Sequence, residues 1–240
     1  MIYSLSVAIA ALVTLIMINN SEQLTESMFV TNTYLYVILA IMIAALSIAI
    51  IEITKFMPNH IILFILSIII IFAFVFVNKK NIFVRNMLFI TFAAIMGAIL
   101  YPAYKLNGNS PIFANSAMAV LILVSVLTFI TYQYPDNYFD NWGTILLGSL
   151  FTLIVFQLLD IFFGDPISSK RYKIYAYIGL FIFSAYIMYD TKKLYQYAKT
   201  AKLCTDMGGD NLVCADYPLM SMNLFLDILN LFSSMNLAQK

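Results

Sequence analysis

Near the C-terminal end of the chain, Asn223, Asp227, Asn230 and Ser234 recur at spacings of four, three and four within the apolar run from Tyr217 to Asn236. On an α-helix these spacings put all four on one face, with Leu, Ile, Phe and Met opposite. The run is apolar enough to sit in a bilayer, where an ionisable group is costly and turns toward protein interior or water. About ten residues flank Asp227 on each side, which places it roughly 15 Å from either helix end. A second carboxylate, Asp190, closes the preceding apolar stretch in Met188-Tyr189-Asp190-Thr191. Two carboxylates brought together in a low-dielectric site cannot both ionise cheaply, so such a pair is expected to share a proton. It could hold that proton, coordinate a hard cation such as Ca²⁺ through oxygen, or do acid–base work. The amides and the hydroxyl around Asp227 suit the first two.

Only membrane helices could position these acids. Of 240 residues, 62% are hydrophobic and 10% charged, with a formal net charge of +1. That composition belongs to polytopic membrane proteins. The near-neutral charge and the lack of a basic aromatic patch argue against nucleic acid as a partner. No glycine-rich phosphate loop, zinc-spaced His/Cys set or serine-centred elbow occurs.

Apolar runs over residues 34–53, 61–77, 86–104, 113–132, 142–163 and 174–190, with the closing run, predict an all-α bundle of seven transmembrane helices in one domain, residues 34–240. A hinge is expected at Lys55 to Pro58, and a kink at Pro102. Residues 2–18 add an N-terminal apolar run, followed by a polar linker to residue 33. That run has no basic flank and no small-residue cleavage pattern, so it reads as an added helix rather than a removed signal peptide. The sequon Asn19-Asn20-Ser21 lies too near the membrane to carry weight. Lys79, Lys80, Arg85, Lys192, Lys193, Lys199 and Lys202 fall on one side of this topology, and the remaining six basic residues on the other. The positive-inside rule therefore leaves orientation undecided.

The other polar residues read as structural. Glu52, with Lys55 at i+3, and Asp160, near Asp165, are expected at solvated helix ends. His60 reads as an interfacial side chain near a helix start, since a metal site needs partners. Cys204 and Cys214, in the polar stretch Thr191–Asp216, read as reduced and incidental, although an oxidising compartment would permit a disulfide. That stretch is expected to be a solvated loop, and its acids do not fit an EF-hand spacing.

Met188-Tyr189-Asp190-Thr191, together with Asn223-Leu224-Phe225-Leu226-Asp227-Ile228-Leu229-Asn230-Leu231-Phe232, resembles the Bax-inhibitor-motif family of seven-helix membrane proteins. Thr91-Phe92-Ala93 through Gly97 to Tyr101-Pro102 looks like that family's third helix. The resemblance implies a pH-sensitive, Ca²⁺-permeable leak or Ca²⁺/H⁺ exchange rather than an enzyme, with Asp190 and Asp227 as gate and metal contacts. It further implies an endoplasmic reticulum or Golgi location, a cell-death-suppressing role, and apoptosis regulators or Ca²⁺-release channels as partners. No cofactor is implied beyond Ca²⁺ as the transported ion. Lys80, in Asn78-Lys79-Lys80-Asn81, is the nearest match to a basic latch on the acid pair, with a point charge where the family commonly has a bidentate arginine.

The alternative is an intramembrane aspartyl protease, which also places Tyr-Asp on one helix and Asp on the next. Those enzymes carry Gly-x-Gly-Asp at the second acid, where this chain has Leu224-Phe225-Leu226-Asp227. A retinal-type pigment is disfavoured because the final helix has no lysine for a Schiff base.

Overall fold

A computed structural model describes residues 2–19, 24–56, 58–107, 111–135, 137–163 and 169–239. Glu22, Asp165, Lys240 and the end of the sequon at Asn20-Ser21 lie outside them. The helices are α1 (Ile2–Asn19), α2 (Glu26–Thr54), α3 (His60–Phe76), α4 (Ile82–Asn107), α5 (Pro111–Gln133), α6 (Trp142–Phe163), α7 (Ser169–Asp206), α8 (Asn211–Ala215) and α9 (Tyr217–Ala238). The described residues contain no strand. Six helices are long and apolar enough to cross a bilayer (α2, α4, α5, α6, α7, and the stretch of α8 with α9), and α3 is a shorter apolar helix. Chain contacts divide the protein into two compact units. One holds Met1–Leu106 with Tyr197–Phe225, and the other Asn107–Gln196 with Leu226–Lys240.

Local chemistry sets the helix ends of the first unit. The Thr25 hydroxyl accepts a hydrogen bond from the Met28 N–H at 3.2 Å and so starts α2,. The helix therefore begins inside what reads as a polar linker, and Asn32 and Thr33 are fully buried. The Asn32 amide donates to the Tyr217 hydroxyl and the Thr33 hydroxyl to Phe29 O one turn back in the same helix, so polarity there does not mean a loop. Lys55 ends α2 in the left-handed region at φ 55°, and its N–H donates to Ile51 O at 2.9 Å, which forms the expected hinge. Asn59 then caps α3 by accepting from Ile61 N–H at 2.9 Å. His60, the first residue of that helix, is exposed.

Gly97 lets α4 approach α2 closely. A Cβ built there would lie 2.7 Å from the Cα of Ala44, against backbone that cannot step aside. Pro102 lies inside α4. Nearby, Ile51, Ala98 and Tyr101 form a small buried cluster with Ile48, Leu63 and Tyr104 packed on it.

The stretch after Asp190 departs most from the expected loop. α7 continues through Asp206, and α8 follows from Asn211. Thr191, Leu194, Ala198 and Ala201 are buried at spacings of three, four and three, while Lys199, Thr200 and Lys202 are exposed. This is an amphipathic helix running beyond the apolar run, and tertiary packing of its narrow apolar stripe holds it. Cys204 and Cys214 form a disulfide with Cα atoms 5.8 Å apart, so they are paired rather than reduced.

α9 is buried around most of its circumference. Tyr217, Met220, Met222, Leu224 and Phe225 are buried in its first part, and Leu231 and Phe232 in its second. By contrast α3, α5 and α6 expose many large apolar side chains, such as Phe64, Phe72, Phe129 and Phe151, as lipid-facing helices do,.

Candidate functional site

Asp190 stands within α7 and Asp227 near the middle of α9, and their carboxyl groups are close enough to act on each other. Two carboxylates this close in a low-dielectric setting cannot both ionise cheaply, which favours a shared proton. Asp227 is 6% exposed, and its Oδ2 has no hydrogen-bond partner among the described residues. The Thr191 hydroxyl beside Asp190 is also buried and unpartnered. Asp190 is only partly buried. Lys193 acts on it electrostatically, and its ammonium lies 5.5 Å from the centre of the Tyr189 ring. Tyr186 is close enough to interact with both acids.

The polar face of α9 is graded along its length. Asn223 and Asn230 are partly buried, and Ser234 is buried. Ser234 lies against Gly179 of α7, where a Cβ would come 2.6 Å from its Oγ. The glycine lets α7 lie close to α9 on the side that carries Asp190. Tyr189 rests on Gly143 of α6, where a Cβ would lie 2.9 Å from its Cζ.

Lys192, next but one to Asp190, is buried at 4% exposure, and its Nζ donates to Tyr134 O at 2.7 Å. Around that carbonyl, Tyr134, Tyr138, Phe139 and Trp142 pack ring on ring at 4.6–5.0 Å for the closest pairs. Aromatic rings of this kind collect at the level of lipid headgroups. Among the described residues no three His, Cys, Asp or Glu side chains cluster as a metal cage would.

The expected latch residue, Lys80, is exposed in the turn before α4 and makes no ion pair among the described residues. Its backbone N–H donates to Asn78 Oδ1 at 3.0 Å. Of the basic residues between α3 and the start of α4, Arg85 is instead the one that turns inward. Its Nε and Nη2 donate to Oδ1 and Oδ2 of Asp216 at 2.9 Å each. Its Nη1 donates to the carbonyls of Phe74 at 3.2 Å and Val77 at 3.0 Å, and the guanidinium lies 5.2 Å from the Phe74 ring centre. Side-chain exposures of 4% and 8% make this a buried pair, with the exposed Lys79 ammonium 3.9 Å from Asp216.

Beside the pair, Tyr217 accepts from Asn32 at 3.3 Å, and Tyr36 donates to Asn86 at 3.2 Å. The rings of Tyr36 and Tyr217 stack at 5.7 Å. The sequence reading passed over this polar seam of α2, α4 and α9. Its only linear signal is a charge at the head of each of two apolar helices.

Glu52 and Asp160 are tied at helix ends as expected. Glu52 accepts from Lys55 at 2.6 Å and from Tyr101 at 2.7 Å. Asp160 accepts from Arg171 at 3.3 Å and from the Tyr175 hydroxyl.

Apolar spans, closely packed helices and an enclosed carboxyl pair define a multi-pass, all-α integral membrane protein. The chain belongs to the Bax-inhibitor family: the family described as "Inhibitor of apoptosis-promoting Bax1" matches residues 26–239, from the first residue of α2 to just past α9. Over 129 residues it is 30% identical to Protein LIFEGUARD 4 of Arabidopsis thaliana, covering 52% of this chain and 44% of that protein. Over 152 residues it is 27% identical to the Growth hormone-inducible transmembrane protein of Rattus norvegicus, covering 62% of this chain and 41% of that protein. The chain thus spans less than half the length of these curated relatives.

Proposed function

We propose that this protein is a proton-sensitive cation leak, carrying Ca²⁺, in which the Asp190–Asp227 pair is the gate. One observation carries the reading: two carboxyl groups on separate membrane helices lie close enough to act on each other, with one oxygen of the more buried acid, Asp227, unpartnered among the described residues. In this reading a proton shared by the pair ties α7 to α9. When the proton count changes, so does the charge presented to a passing cation, and flux then depends on pH. Ca²⁺ takes six to eight oxygen ligands, and two carboxylates supply at most about four, so water completes the shell. That favours transit over a resident ion. The partly buried Asn230 and the buried Ser234 add neutral oxygens along the same face.

A cell-death-suppressing role, through ion content of an intracellular membrane such as endoplasmic reticulum or Golgi, belongs to the same proposal. The family description, which speaks of inhibiting apoptosis, supports it. Apoptosis regulators and Ca²⁺-release channels are the partners it would involve.

The test uses purified protein in liposomes loaded with a Ca²⁺ dye, across roughly pH 5 to 8, where a coupled buried pair can titrate. Wild type should show pH-dependent flux, and Asp190→Asn and Asp227→Asn should each alter its size and flatten its pH response. Equal, negligible flux in all three would overturn the proposal.

A further inference from the structure

The gate proposed above makes no use of the segment from Cys204, near the end of α7, to Asp216, just before α9, most of which the Cys204–Cys214 disulfide closes. Its outer part, Asp206 to Asp210, is exposed, with Met207 at 82% exposure. Its inner end is Asp216, the partner of buried Arg85. α8 connects the two. A helix of five residues has no stability of its own, and Ala215 is the only one of them that is buried. Three local devices hold it. Asp210 caps it by accepting from Leu212 N–H at 2.9 Å and Val213 N–H at 3.3 Å. The disulfide ties Cys214 back to the end of α7. Asp216 ends it in the left-handed region at φ 40°, a conformation that aspartate adopts more readily than most non-glycine residues,.

The turn itself is shaped around the closed disulfide. A Cβ at Gly209 would lie 2.5 Å from Cys214 Sγ and 2.9 Å from Cys204 Sγ, so backbone packs directly against both sulfurs. Gly208 takes φ 87° immediately before it.

We propose that Cys204–Cys214 is a reversible thiol–disulfide site whose opening releases α8 and, with it, Asp216 from Arg85. The co-reactant is a dithiol reductant. One of its thiolates attacks a cysteine sulfur, breaks the S–S bond and forms a mixed disulfide, while the other cysteine leaves as a thiolate and takes up a proton. The second thiol of the reductant closes its own disulfide and frees the remaining cysteine. The protein gains two electrons and two protons, and the dithiol is oxidised. Without the covalent tie, α8 keeps only its Asp210 cap and the burial of Ala215, too little to hold a five-residue helix and the Asp216 that ends it,. The carboxylate then exchanges its place on Arg85 for water and the exposed Lys79, whose ammonium is already 3.9 Å from it.

The full chain in lipid nanodiscs tests this by hydrogen exchange before and after dithiothreitol, with maleimide labelling to verify reduction. Peptides covering residues 207–220 should exchange at least roughly tenfold faster once reduced, while those covering Phe89 to Ile95 of α4 stay protected. The Cys204→Ser/Cys214→Ser protein should start at the fast level and ignore dithiothreitol. Unchanged exchange after verified reduction, or a double variant as protected as the oxidised protein, would overturn the proposal. Loss of protection throughout α4 would also overturn it, since that is global unfolding rather than release of one segment. Cys204 lies on the helix of Asp190, and Cys214 precedes that of Asp227. A change in Ca²⁺ flux on reduction would rest on the gate reading. The exchange measurement does not, so the two fail separately.

Discussion

Replacing Asp216 by alanine should destabilise the protein substantially. The substitution removes two charge-assisted hydrogen bonds of 2.9 Å and leaves a guanidinium whose side chain is 4% exposed. Each such bond contributes about 1.5–3 kcal/mol, and breaking one partner of a buried pair costs about 3–5 kcal/mol in all. Arg85 keeps two carbonyl acceptors and the Phe74 ring, which puts the expected loss near the lower end, about 3 kcal/mol. For a chain of this size that is a fall of roughly 6–12 °C in melting temperature.

Two companion variants separate charge from geometry. Asp216→Asn suits the left-handed backbone and retains one acceptor, so it should lose about half as much. Arg85→Met with Asp216→Leu removes both charges and should recover most of the loss. The assay is thermal unfolding of purified full-length protein in a single detergent, followed by tryptophan emission and circular dichroism. An Asp216→Ala protein that melts within a degree of wild type, or a double variant no better than Asp216→Ala, would refute the reasoning.

Gly97→Leu should abolish the close approach of α4 to α2, because its side chain meets Ala44 backbone. Overpacking of this kind costs about 1–3 kcal/mol or more, so monodisperse yield on size exclusion should fall sharply, with Gly97→Ala intermediate. Ala198→Pro should break the extension of α7, whose stripe of Thr191, Leu194, Ala198 and Ala201 is buried. The expected cost is about 3 kcal/mol, and helical ellipticity at low temperature should drop while the apolar spans persist. Removing the disulfide as Cys204→Ser/Cys214→Ser should lower stability by roughly 3 kcal/mol at most, given a loop of about ten residues. Its effect should match that of reductant on the wild-type protein in the same melt.

The sequence alone determined the membrane class, most of the apolar spans and the two acids. Each rests on local or composition-level physics. A run of apolar residues can only satisfy its backbone in a bilayer as a helix, and an aspartate in mid-run stands out because its cost there is large. Periodicity was also sufficient to place Asn223, Asp227, Asn230 and Ser234 on one face.

Tertiary structure decided the rest, for the reason that pairing in space leaves little mark on linear pattern. Asn32 and Thr33 look like linker residues until their helix is seen buried. Residues 191–206 look like a loop because three or four small apolar residues make a weak stripe, and only packing shows that the stripe is covered. Cys204 and Cys214 are two thiols in sequence. α8 and the Gly208-Gly209 turn bring their Cα atoms to 5.8 Å. Lys80 and Arg85 are equally plausible basic residues in the string of letters. Which one turns inward was decided by an acid 131 positions away, and no spacing rule connects residues that far apart. Burial of an ion pair is a property of the packed chain, because its energy depends on the excluded water and the satisfied partners around it.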